Sequence, residues 1–130
     1  MNYLLAKDVT LIHFIVMKKY GEEGQAGIKD ERLLESAVHL PQQSVLGEDA
    51  YPSLFDKAGV LFESLAGNHC FVDGNAKTAV AVLDIFLKKN GFKLKQNDQE
   101  MKEFTTLVAE GQVPLPYIAN WLVENTEKGM

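Results

Sequence analysis

The chain has 130 residues, of which 46% are hydrophobic and 24% charged, and a formal net charge of −5. That size suits one domain spanning residues 1–130 around a modest core, and the negative balance argues against direct nucleic-acid binding. A lone Cys70 excludes an internal disulfide and fits a reducing compartment. No apolar stretch nears the ~18 residues of a membrane span, and MNYLLAKDVT lacks a secretory signal, so no membrane association and a cytoplasmic location are expected.

Helical spacing of Val9, Ile12, Val16 and Tyr20 predicts a first helix over 6–20, stopped by Gly21. The segment 21–29 holds three glycines and reads as a flexible loop, with Glu22 and Glu23 solvated. Asp30 is the expected N-cap of a short helix carrying Leu33, Leu34, Ala37 and Val38, ended by Pro41. Residues 41–51 form an irregular connection. Pro52 is placed in the first turn of the next helix, whose apolar face runs through Leu54, Phe55, Ala58, Leu61, Phe62 and Leu65.

A further helix is predicted from Asn75 to Asn90. Ala79, Val82, Leu83, Phe86 and Leu87 form its inward stripe, widened by Val80 and Ile85. An apolar surface on more than one side marks it as the central element. Asp84 and Lys88 stand four apart, as helical ion pairs do. Gly91 is its C′ residue, and Phe92 and Leu94 dock the following turn. A helix over 98–109 carries Met101, Phe104, Leu107 and Val108. The last, over 114–125, carries Tyr117, Ile118, Trp121 and Leu122, with Trp121 as a docking residue. Little of the chain alternates with period two, so the expected fold class is all-α. The lysines at 88, 89, 93 and 95 read as a solvated helix end rather than a binding patch.

Chemistry concentrates at residues 69–77. Histidine is the side-chain type suited to taking a proton near neutral pH, so His69 is a candidate base for a hydroxyl. Asp73 offers the hard oxygen that suits Mg²⁺ shared with phosphates. Asp73-Gly74-Asn75-Ala76 is a turn opening a helix, where free N–H groups face anions. Lys77 in the first turn opposes the helix dipole, a conflict that a bound anion resolves. These parts suit phosphoryl or nucleotidyl transfer, although the GxxxxGK[ST] loop is absent. The bland alternative is a capping histidine, an ordinary turn and a surface lysine. His13 and His39 read as structural or surface residues, and neither histidine spacing nor cysteine clustering suggests a metal cage.

The run His69-Cys70-Phe71-Val72-Asp73-Gly74-Asn75-Ala76-Lys77-Thr78-Ala79 resembles the signature of the Fic/Doc superfamily, most closely the Doc (death-on-curing) toxin branch. Gly27-Ile28-Lys29-Asp30, Leu33-Leu34-Glu35-Ser36-Ala37, Pro41-Gln42-Gln43 and Tyr51-Pro52-Ser53-Leu54-Phe55 agree as well, as do Leu87 to Gly91 and Trp121-Leu122. The resemblance implies a compact helical domain whose central helix follows the HxFxDGN loop. It also implies ATP-dependent transfer to a protein hydroxyl. In most of the superfamily AMP is moved. In the Doc branch the γ-phosphate goes to a threonine of the elongation factor that delivers aminoacyl-tRNA, and translation stalls.

By this resemblance His69 is the general base and Asp73 the Mg²⁺ ligand. Gly74, Asn75 and Ala76 form the anion-binding turn, Lys77 contacts phosphate, Phe71 anchors the loop and Asn68 braces it. ATP and Mg²⁺ are the implied cofactors, and a cognate antitoxin with a disordered inhibitory segment is the implied partner.

The chain departs from the Doc pattern at four positions. Ala76 and Lys77 replace the usual Lys-Arg, removing one charge and a two-pronged phosphate grip. Cys70 stands where proline is common, and Lys29 where arginine is. A small residue at 76 keeps two alternatives open: AMP transfer on the same scaffold, and a decayed module that binds antitoxin or nucleotide. Thr106 to Gly111 fits a loose self-inhibition pattern centred on Glu110, although a glutamate before a helix stop is an ordinary surface residue.

Overall fold

A computed structural model describes residues 1–21, 25–95 and 97–129. Glu22 and Glu23, expected in a solvated loop, lie outside the described residues. Six helices form: α1 Ala6–Tyr20, α2 Glu31–His39, α3 Leu54–Gly67, α4 Asn75–Lys89, α5 Asp98–Ala109 and α6 Leu115–Glu124. The expected helical fold class therefore holds, with helix boundaries within a residue or two of those read from the sequence.

Local chemistry explains most of the boundaries. Asp30 caps α2 as expected, its carboxylate accepting from the Arg32 and Leu33 N–H groups. Ser53, not Pro52, caps α3 through a bond from Asp56 N–H. Pro52 sits just before that cap, because the serine hydroxyl can accept from a free first-turn N–H and a proline side chain cannot. Gly91 closes α4 at φ +90°, a conformation favoured by glycine.

Two small antiparallel strand pairs supplement the helices, the first of them a hairpin. Strands β1 (Ser44–Val45) and β2 (Glu48–Asp49) pair across a turn at Leu46-Gly47, both at positive φ. Strands β3 (Phe92–Leu94) and β4 (Thr126–Lys128) pair residues far apart in sequence. Phe92 and Leu94 were expected to dock a turn; they do so as strand residues, because the chain after α6 returns beside them. Two of the four clustered lysines are paired, Lys88 with Asp84 at 3.0 Å and Lys93 with Glu127 at 3.4 Å.

The core gathers where α3 meets α4 and α6, with α1 packed on the other side of α4. The α4 stripe Ala79, Val82, Leu83, Phe86 and Leu87 is buried as predicted. Helix α3 is enclosed still further, with no exposed residue along its length. Gly59 makes this possible: a Cβ there would lie 3.0 Å from Leu115 and 3.3 Å from Ile118 of α6. Phe62, Phe104 and Trp121 stack in series, joining α3, α5 and α6.

Three residues of the predicted helical patterns are exposed: Tyr20, Leu107 and Tyr117. In α1 the buried stripe runs through Met17 and His13 instead of reaching Tyr20, and in α5 Thr105 faces inward, its hydroxyl bonded to the Met101 carbonyl.

Lys57 is 2% exposed, and its ammonium donates to the Pro41 carbonyl at 3.0 Å and to Asp49 at 3.3 Å. It ties the β1–β2 hairpin to α3. Lys57→Met conserves volume but strands a carbonyl; chemical denaturation is expected to show a loss of about 1–3 kcal/mol.

Candidate active site

The loop 68–74 joins α3 to α4, two helices that pack along one another. Its backbone turns through two left-handed residues, His69 at φ +51° and Gly74 at φ +72°. At Gly74 a side chain is excluded twice, by the positive φ and by the Met17 sulfur, which occupies the place a Cβ would take. His69 and Leu46 are the only non-glycine residues at positive φ among the described residues. Unfavourable backbone geometry of this kind persists where surrounding structure over-determines it.

Here the over-determination is visible. Phe71 is buried, and its ring stacks on His13 with centroids 3.9 Å apart. The Asn75 side chain accepts from Phe71 N–H at 3.0 Å and donates to the Phe71 carbonyl at 3.1 Å, closing the loop on itself. Residues Gly27–Asp30 run beside it: Val72 N–H donates to Gly27 O, and the Lys29 and Asp30 N–H groups donate to Cys70 O. Buried Cys70 has its thiol pushed up to about 11 by desolvation, which makes it unreactive.

The loop thus has an inner side of Cys70, Phe71 and Thr78 and an outer side of exposed His69, Val72, Asp73, Ala76 and Lys77. The outer side borders a cleft of about 440 Å³. Sequence reasoning gathered His69, Asp73, Gly74, Asn75, Ala76 and Lys77, and all six line this cleft. It missed the contribution of α1, whose Val16, Met17 and Tyr20 form the opposite wall, and that of Ala66 and Ala109. An apolar stripe alone does not reveal which of its members end beside a distant loop. Asn68, expected to brace the loop, is exposed and its side chain makes no hydrogen bond among the described residues; Asn75 supplies the brace. Glu110 is exposed at the end of α5 and is not part of the cleft wall, although its neighbour Ala109 is.

The start of α4 is electrostatically unusual. Helices α1, α2, α3 and α5 each carry a carboxylate in the first turn, and α2, α3 and α5 are capped by a side chain. Helices α4 and α6 have neither; the first turn of α6 is uncharged, whereas that of α4 carries Lys77, whose ammonium lies 5.2 Å from the Tyr20 ring centroid. The first N–H groups of a helix are unsatisfied by the helix itself and carry its positive end. Asp73 Oδ1 accepts from Gly74 N–H at 2.8 Å, leaving its other oxygen without a partner among the described residues. No cluster of three metal-ligating side chains occurs among them.

His13 lies behind Phe71, fully buried. Its Nδ1 is 3.0 Å from Thr78 Oγ1, and Gly27 N–H donates to its Nε2 at 3.0 Å. Burial pushes the imidazole below its ordinary 6.5, against the opposing pull of the Asp73 charge.

Comparison with known proteins agrees with the motif. The family profile described as "Fic/DOC family" matches residues 3–87. The chain is 51% identical over 71 residues to the "Toxin Doc" of Mycolicibacterium smegmatis, a match covering 55% of each protein. It is 25% identical over 122 residues to the "Protein kinase doc" of Escherichia phage P1, covering 94% of each. No helix among the described residues is long and apolar enough to cross a membrane.

Two predictions come from this geometry. His69→Gly relieves the left-handed strain while freeing the unfolded chain, so thermal melting is expected to show stability within about 1 kcal/mol of wild type. Because His13 is depressed in the folded state, the unfolded chain binds its proton more readily. That contribution to stability is complete above the ordinary imidazole value of 6.5 and is lost as pH falls below it. Melting temperature is expected to fall on acidification in wild type and less steeply in His13→Gln.

Proposed function

The chain belongs to the Fic/DOC family, and from that premise we propose that it is a Doc-type toxin that moves the γ-phosphoryl group of ATP onto a protein hydroxyl. The observation that carries this reading is the start of α4: an uncapped helix N-terminus with a lysine in place of a carboxylate, opening into the cleft that His69 and Asp73 border. Such a terminus is suited to phosphate oxygens.

In this reading the backbone N–H groups of Asn75 and Ala76 and the Lys77 ammonium hold the phosphate chain. Mg²⁺, when bound, neutralises charge on the phosphate oxygens, and the donor set fits it: Asp73 is one exposed carboxylate with one oxygen steadied and the other open, and Mg²⁺ commonly takes one or two carboxylates with phosphates and water. His69 accepts the proton of the incoming hydroxyl at an imidazole nitrogen as the hydroxyl oxygen bonds to the γ-phosphorus and ADP departs. The strained, exposed position of His69 puts that ring on the solvent side of the loop, where an acceptor protein arrives. Phe71 and the Asn75 brace keep the loop from relaxing when phosphate binds.

The acceptor is a threonine of the elongation factor that delivers aminoacyl-tRNA, so transfer halts translation in the cytoplasm. Restraint comes from a cognate antitoxin whose disordered segment folds on the toxin. The name "Toxin Doc" of the Mycolicibacterium relative and the kinase name of the phage relative support the toxin and phosphoryl-transfer parts of this reading. AMP transfer is the second reading, favoured by Ala76, whose exposed methyl group leaves the cleft wall without the charge that Doc sequences place there.

Intact-mass analysis of the elongation factor after incubation with Mg²⁺-ATP tests both. Wild type is expected to add one phosphoryl group and His69→Ala none. A gain of one AMP would establish the second reading. An unmodified factor, alongside a Doc toxin that modifies it under the same conditions, would overturn the proposal.

A further inference from the structure

His13 is absent from the cleft wall, yet it joins three elements that stand behind it. Its ring belongs to α1, its Nδ1 pairs with Thr78 of α4, its Nε2 with Gly27, and its face stacks on Phe71, the two planes being 8° apart. A backbone N–H can only donate, so the bond from Gly27 requires Nε2 to be an unprotonated acceptor. The ring proton then sits on Nδ1 and is given to Thr78 Oγ1. Full burial, with every buried side-chain polar atom among the described residues partnered, leaves no solvent to replace either bond.

Gly27 passes the constraint on. The residue whose N–H is held by His13 uses its carbonyl to accept from Val72 N–H at 2.9 Å, and Val72 precedes Asp73. Two residues on, Lys29 N–H donates to Cys70 O at 2.8 Å, and Cys70 follows His69. The Gly27–Lys29 segment is therefore pinned at one end by an imidazole and along its side by the loop carrying both reactive side chains. Gly27 itself lies at φ +146°, and its hydrogen bonds rather than side-chain packing keep it in place: a Cβ there would meet only Val72 within 4 Å.

We infer that His13 is a positioning residue: its neutral ring, through the Nε2 bond to Gly27, holds the Gly27–Lys29 segment in register with residues 70–72 and so fixes where His69 and Asp73 stand. The chemical meaning of that placement rests on the transfer function proposed above; the placement itself does not, and it is tested without any assay of transfer. An amide side chain separates the two ring bonds. In His13→Gln the longer chain can return an acceptor near the Nε2 position. In His13→Asn the shorter chain can reach Thr78 but not Gly27.

Amide hydrogen exchange by NMR then reads the difference. His13→Asn is expected to speed exchange at Gly27, Lys29 and Val72 by about tenfold or more, with α3 and α4 core amides unchanged. His13→Gln is expected to restore protection at those three amides. Equal protection in both variants, or a uniform loss that includes the core amides, would overturn the inference. Should either variant fail to fold, the wild-type imidazole decides: ¹⁵N–¹H correlation is expected to show the neutral ring with its proton on Nδ1, and a proton on Nε2 would overturn it. Once transfer is measurable, His13→Asn is expected to depress kcat more than it raises the KM for ATP.

Discussion

Two helices that pack along most of their length must be joined by only the residues 68–74, and that constraint organises the rest of the molecule. A connection this short between buried helices cannot be a relaxed coil. It must reverse the chain, bury at least one apolar side chain to close the core, and satisfy its own backbone. Phe71 answers the second need, and the Asn75 amide and the Gly27–Asp30 segment answer the third. The first need forces positive φ at His69 and Gly74. The exposed side chains are then aimed by the same geometry, so the direction in which the loop presents them follows from how it is closed.

The electrostatics follow from the same junction. At the starts of α2, α3 and α5 the chain follows the ordinary rule, with acidic first turns and capping side chains, whereas α6 has neither and carries no first-turn charge. At α4 the rule is broken, and the place of the break is the mouth of the cleft. A locally inconsistent choice at an otherwise consistent fold is where function is expected. Tyr20 of α1 sits beside the Lys77 ammonium, offering a ring face to a cation that has no carboxylate partner among the described residues.

Much of this was legible beforehand. Helix positions were written in the apolar period and in Asp30, Gly91 and the single prolines at junctions, and six of the cleft-lining residues lay within the short run 69–77, whose residue types suggested their chemistry. What stayed hidden was contributed by chain neighbours far apart in sequence. The β3–β4 pair joins strands separated by two helices, and short strands carry too little alternation to be seen alone. Tyr20 continued a helical stripe by spacing yet faces solvent, because the buried face of α1 turns toward Met17. His13 looked like any histidine on a helix; only its partners Gly27, Phe71 and Thr78 give it meaning. The resemblance gave the brace to Asn68 and put Asn75 in the anion-binding turn; only the folded backbone sets the Asn75 amide against Phe71.

The division of the loop into an inner and an outer side has an evolutionary consequence. The residues that secure its shape, Phe71, Gly74, Asn75 and Thr78, are held by packing, by a close sulfur or by hydrogen bonds, whereas Ala76 and Lys77 project outward and support nothing in the core. Substitution at the outer positions is expected to carry little folding cost, so these positions can change while the fold is kept. The Ala76-Lys77 pair therefore stands on a scaffold whose form does not depend on it, and other side chains at these two positions would leave the loop closed.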